Sequence, residues 1–160
     1  MLNIKIICVG KLKEQFYIDA ANEYLKRLGG YCKAEVIVIP EHRLPDDPSD
    51  RQIEYALEKE RSAINSKLPA GAMTIALCLE GRQMDSRELS DLLADSARRG
   101  TSRLAFIIGG SFGLHESIKK EAGLKLSMSK MTFPHNLTQI ILLEQLYRAF
   151  KIAEGGKYHK

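Results

Sequence analysis

"FIIGGSFGLHES", residues 106–117, joins an unbroken apolar run to a glycine-rich turn and then to a polar segment of helical character. A run without polar alternation reads as a strand covered on both faces. Glycines at its end let a ligand approach the backbone closely. Open α/β sheets bind ligands at this kind of place, beyond the carboxyl ends of their strands. The spacing of Gly109, Gly110 and Gly113 is G-G-x-x-G, not the dinucleotide fingerprint G-x-G-x-x-G, and no phosphate-loop Lys-Ser/Thr pair follows.

The flanking sequence repeats the pattern. "NIKIICVG" (3–10) predicts a first buried strand, and residues 13–30 predict a helix with Tyr17, Ala20, Ala21, Tyr24, Leu25 and Leu28 on one face, stopped at Gly29. "AEVIVIP" (34–40) predicts a second strand and residues 41–50, with Pro45 and Pro48, a surface loop. Ser49 and Gln52 form a capping-box signature for a helix over 50–66 with Ile53, Ala56, Leu57 and Ile64 inward. Strands follow at 73–79, 103–108 and 124–129, and helices at 86–100 and 114–122. Strand–helix alternation of this kind specifies an α/β fold with a parallel sheet. The last helix, within 136–156, is apolar almost all round, more than one core-facing stripe requires. A second copy of the chain covering that surface is the simplest account.

The composition, 44% hydrophobic and 28% charged over 160 residues, fits one globular domain spanning 1–160. No apolar run approaches the roughly 20 residues of a membrane span. The first ten residues read as a strand, not a signal peptide, so a soluble, cytoplasmic protein is expected. Cys8, Cys32 and Cys78 show no metal-ligand or disulfide spacing. The net charge of +4 lies wholly in the last third, a bias that can attract an anionic partner such as RNA.

Two further segments can carry chemistry. "SMSKMTFPHNL" (127–137) alternates soft apolar Met128, Met131 and Phe133 with small polar Ser129 and Thr132, a composition suited to clasping an adenine nucleoside, although the same residues could fill the core beneath a loop. The terminal "GGKYHK" (155–160) places Tyr158 and His159 after a glycine pair, with Arg148 on the preceding helix and His135 at its start. These groups can relay protons or hold anions, or can be ordinary capping and solvated residues.

As a set, "VGKLKE" (9–14), "LEGRQMDS" (79–86), "FIIGGSFGLH" (106–115), "LSMSKMTFPH" (126–135), "LLEQLYRAFKI" (142–152) and the final "YHK" resemble the RlmH family, small SPOUT-class methyltransferases of bacterial large-subunit ribosomal RNA, and in particular its Gram-positive forms. The resemblance spans the whole chain. It implies an α/β/α SPOUT fold with a C-terminal deep trefoil knot, a homodimer, S-adenosylmethionine as cofactor and no metal. It further implies methylation of N3 of a pseudouridine in 23S ribosomal RNA of the assembled ribosome. By resemblance the cofactor contacts fall on Leu77, Gly109, Met128, Ser129, Lys130, Met131, Thr132 and Phe133. His159 and Tyr158 would meet the target base, and Arg148 and His135 would orient the RNA. The glycine pair would then be a hinge, leaving the tail mobile without RNA and able to swing over the 128–133 loop of its own or a partner chain. Two other readings are a flavodoxin-like nucleotide-binding module and a non-catalytic ribosome-associated dimer.

Overall fold

The five apolar runs become five strands of one parallel sheet in a computed structural model that describes all 160 residues. The strands are β1 (Asn3–Val9), β2 (Lys33–Ile39), β3 (Met73–Gln83), β4 (Arg103–Ile108) and β5 (Leu124–Ser127). The helices between and after them are α1 (Gln15–Leu28), α2 (Asp50–Lys67), α3 (Ser86–Arg98), α4 (Glu116–Glu121) and α5 (His135–Ala153). The sheet order is β2-β1-β4-β3-β5, with every neighbouring pair parallel.

Both faces of the sheet are covered, which is why its strands lack polar alternation. Ile4, Ile6, Cys8, Leu104, Phe106 and Ile108 pack on one face against Ala21 and Leu28 of α1, Leu89 and Leu93 of α3, and Leu142, Leu143 and Leu146 of α5. Ile7, Val9, Ala105 and Ile107 pack on the other face against Ile64 of α2 and Ile118 of α4. The result is the three-layered α/β/α arrangement expected. Cys8 and Cys32 belong to this interior, and burial pushes their thiols up to about 12 and about 11 respectively, so they behave as small hydrophobes. No helix is long and apolar enough to cross a membrane.

Local signals explain the helix ends. The capping box at Ser49 forms, with the Gln52 N–H donating to Ser49 Oγ at 3.2 Å and the Ser49 N–H to Gln52 Oε1 at 2.8 Å. A second box, not anticipated from sequence, joins Asp85 and Glu88 at the start of α3. The most consequential difference concerns β3, which runs on to Gln83 through the polar residues Glu80, Gly81, Arg82 and Gln83. Leu126 of β5 pairs with Leu77 and again with Arg82, so the intervening residues bow out of the ladder. At Gly81 the backbone passes so close to β5 that a Cβ would lie 2.6 Å from the carbonyl carbon of Leu126. Correspondingly, β5 is shorter than the apolar pattern suggests and ends at Ser127.

Two consequences can be measured. Gly81→Ala forces a methyl group into backbone and should cost about 1–3 kcal/mol, read as a Tm decrease of about 2–4 °C per kcal/mol in a chain of this size; an unchanged Tm would contradict the close approach. Glu60, on α2 and only 8% exposed, has its carboxyl pushed up by burial and by the neighbouring Glu41. A folded-state value above the unfolded one means that stability is fully present below the unfolded value and falls as pH rises through the folded one. Glu60→Gln keeps an acceptor without the charge, so it should melt at or above the wild type at pH 7, with the difference closing below about pH 4.

Candidate methyl-donor site

At the carboxyl ends of β3, β4 and β5 the structure opens into a cavity of about 610 Å³. That volume lies within the range of small-molecule sites. Its walls come from Leu77–Leu79 of β3, from Ile108 and the turn Gly109–Ser111 with Gly113, from Ser127–Ser129 and Met131–His135, and from Thr138 of α5. Leu77, Gly109, Met128, Ser129, Met131, Thr132 and Phe133, singled out from sequence, therefore share one enclosure, and His135 stands at its edge. Lys130 is exposed and does not line it. The apolar 128–133 side chains border the cavity instead of merely filling the core, and Met131 is 74% exposed.

The turn and the loop are each fixed by their own chemistry. In the turn the Gly113 N–H donates to Gly110 O at 3.0 Å, and a Cβ at Gly109 would lie 2.4 Å from Gly113 O, leaving space for no side chain. Gly113 adopts a φ of +77°, which favours glycine. In the loop the Ser127 hydroxyl donates to Ser129 O at 3.0 Å, while Ser129 Oγ accepts the Met131 N–H at 2.9 Å. Ser129 thus shapes the loop as well as bordering the cavity. Pro134 precedes α5, so His135 is the first helical residue, not its cap, and its ring is free to face the cavity. Soft apolar groups beside small hydroxyls suit an adenosine moiety, and the glycine turn permits close backbone approach, so these residues fit a nucleoside-bearing methyl donor. No group of three or more His, Cys, Asp or Glu side chains is arranged to hold a metal ion.

Of the other candidates, Arg148 lies farther along α5, and Tyr158 and His159 lie in the segment after it. The Arg148 Nε and Nη2 donate to Glu144 Oε1 at 3.0 and 2.6 Å, and the Tyr158 hydroxyl donates to the same oxygen at 3.1 Å. The Arg148 guanidinium sits 4.8 Å from the centroid of the Tyr158 ring, which also meets Tyr147 edge-on at 5.0 Å. Arg148 Nη1 lies 3.5 Å from His159 Nδ1. Burial first, and the Glu144 carboxylate second, push the Tyr158 hydroxyl above the usual phenol range, so it stays protonated at neutral pH. The side-chain bond to Glu144 raises Arg148 further and keeps it charged.

This geometry corrects the expectation of a freely swinging tail. Gly155, at φ +71°, does reverse the chain after α5, but the reversal lays Tyr158 and His159 back on α5 of the same chain. The Glu144 carboxylate, the Tyr147 ring and the Arg148 guanidinium hold them there. Arg148 lies ten residues beyond Thr138, about 15 Å along the helix, so the tail does not cover the cavity through its own chain. Glu144 and Tyr147, which anchor it, lie in the "LLEQLYRAFKI" element of the family resemblance but were not singled out as site residues. Glu41 also escaped notice; its carboxylate accepts from Ser111 of the glycine turn, a contact visible only once the sheet order is known.

Comparisons with known proteins place the chain in a family. A family model described as "Predicted SPOUT methyltransferase" matches residues 2–159. Proteins named ribosomal RNA large subunit methyltransferase H are similar over 99% of this chain and 100% of their own length, at 43% identity in Streptococcus sanguinis (strain SK36) and 46% in Clostridium botulinum (strain Kyoto / Type A2). Among solved structures, a probable methyltransferase from Bordetella pertussis Tohama I aligns with a TM-score of 0.59 at 15% identity, covering 92% of this chain and 96% of that one. A probable methylase family protein from Haemophilus influenzae Rd KW20 gives 0.57 at 14% identity, covering 99% and 71%. At such identities these two attest the fold alone. The full-length family match sets aside the flavodoxin-like alternative. A parallel sheet with a donor-sized cavity at its carboxyl edge, matched from end to end by one family model, makes this chain a member of the SPOUT methyltransferase family.

Proposed function

We propose that the protein is a homodimeric, cytoplasmic enzyme whose single domain transfers a methyl group from S-adenosylmethionine to N3 of a pseudouridine in 23S ribosomal RNA of the assembled ribosome. The observation that carries this reading is the convergence of Leu77, the Gly109 turn and the Met128–Phe133 loop on one cavity. The name of the relatives supplies the substrate class. The half-buried apolar residues Leu137, Ile140, Ile141 and Phe150 of α5 support the dimer, because a lone copy leaves them partly in water. The deep trefoil knot that the family resemblance implies is part of this reading.

The donor, when bound, supplies an electrophilic methyl group on a sulfonium centre. Leu77, Gly109, Met128, Ser129, Met131, Thr132 and Phe133 hold it, and Lys130 on the outer side of the loop contributes charge near the rim. What remains is to align the base nitrogen and remove its proton. Alignment alone can lower a barrier by several kcal/mol. His159 is the candidate proton acceptor. Tyr158, whose hydroxyl donates to Glu144, meets the base through its phenol oxygen and ring. Arg148, fixed by Glu144, presents a planar cation to phosphate or to the developing anion, and His135 lies at the cavity edge. Because the tail lies on α5 away from its own cavity, the Arg148–Tyr158–His159 group serves the cavity of the partner subunit.

Two measurements test the proposal. Mass spectrometry of 23S ribosomal RNA from cells lacking the gene should show the loss of one methylpseudouridine, restored by complementation; an unchanged modification pattern, or a dimer that binds ribosomes and transfers nothing, would reject it. Deletion of Tyr158–Lys160 should reduce methyl transfer by about 100-fold or more, the scale of acid–base and positioning contributions, while calorimetric binding of S-adenosylmethionine remains close to wild type. Full turnover by the truncated chain would remove the tail from the mechanism.

A further inference from the structure

Glu41 follows β2 by two residues, in a stretch that the sequence marks only as a surface loop. In the fold its carboxylate reaches across β1 to the glycine turn that ends β4. Glu41 Oε1 accepts two hydrogen bonds from Ser111, one from the hydroxyl at 2.9 Å and one from the backbone N–H at 3.3 Å. The same oxygen lies 3.1 Å from where a Cβ on Gly110 would sit, so it rests directly on the turn. The second oxygen, Oε2, is 3.6 Å from the equivalent position on Gly10, and His135 Nε2 is 3.7 Å from that same point. Gly110, Ser111 and His135 all line the cavity. The loop that carries Glu41 is itself tethered, because the His42 N–H donates to Glu60 Oε1 at 3.4 Å and Glu60 is buried on α2.

Three glycines within five residues give the 109–113 segment many conformations to lose. Within the turn, only the Gly113 N–H to Gly110 O bond and its associated bridge hold it closed. A ligand that needed one shape of this turn would have to order it, and that ordering would subtract from affinity. We infer that Glu41 is a positioning residue of the methyl-donor site, fixing the glycine turn through Ser111 in its ligand-ready shape before the donor arrives. The inference rests on the reading of this cavity as the donor site. It assigns Glu41 no part in the chemical step.

The test uses the full-length protein and S-adenosylmethionine in calorimetry, with Glu41→Ala, Glu41→Gln and Ser111→Ala variants. Loss of both acceptor contacts should weaken donor binding by about three- to tenfold, the fold-change that corresponds to one ordinary hydrogen bond. Glu41→Gln retains an acceptor oxygen for both Ser111 donors and should bind within about twofold of the wild type, while Ser111→Ala, which loses only the hydroxyl bond, should fall between. In turnover the donor KM should rise with Glu41→Ala and kcat at saturating donor stay constant. Without donor, amide exchange at Ser111 and Gly113 should accelerate in Glu41→Ala. Unchanged donor affinity in Glu41→Ala, or equal losses in the Gln and Ala variants, would overturn the inference. If wild-type protein bound no S-adenosylmethionine, the donor reading itself would fail, and unaltered Ser111 exchange in Glu41→Ala would separately refute the hold of Glu41 on the turn.

Discussion

Everything at the working edge of this molecule depends on the double pairing of Leu126 with β3. A strand of four residues is a weak element by itself, and β5 persists because it is gripped before and after an outward bow of its neighbour. The bow brings Leu79 to the surface, 56% exposed, and leaves Leu77, Cys78 and Leu79 along one cavity wall. The grip also sets where the chain leaves β5, so the Met128–Phe133 loop starts beside the glycine turn of β4. Two close backbone approaches, at Gly81 and at Gly109, are the steric conditions for this arrangement. Neither leaves space for any residue with a side chain.

Much of this was legible in the chain. Apolar runs give away the strands because a sheet covered on both faces has no polar alternation, and the Ser49–Gln52 pair marks a helix start because its chemistry is local. The cavity residues could be picked out for the same reason: glycines after a buried strand and methionines in a short loop are unusual whatever surrounds them. Residues 80–83 could not be read as strand, since Glu80, Gly81, Arg82 and Gln83 have no β-like character and owe their conformation to β5. Sheet order was equally hidden, and with it Glu41, which meets Ser111 because β1 lies between β2 and β4. The docking of the tail depends on the reversal at Gly155 and on a carboxylate fourteen residues before Tyr158.

The polar group beside α5 shows how one carboxylate can organise several side chains. Glu144 Oε1 accepts from Arg148 and from Tyr158, so the guanidinium and the phenol are held at fixed separation by a shared acceptor. The phenol is kept neutral while the guanidinium is kept charged. The guanidinium retains N–H donors beyond those given to Glu144, and held this way it can meet an anion or a carbonyl oxygen without a mobile side chain having to be ordered first.

The position of α5 in the chain has a consequence for the protein's life in the cell. Leu142, Leu143, Leu146 and Ala149 complete the larger core cluster, yet they follow every strand of the sheet in chain order. Synthesis proceeds from the N-terminus, so a nascent chain carries all five strands while α1 and α3 alone cover one face of the sheet. The donor cavity, finished by Thr138, closes at the same late moment. A chain released even a few turns early would therefore be both inactive and greasy, an easy target for chaperones and proteases, and partial products would be removed instead of competing with the finished enzyme.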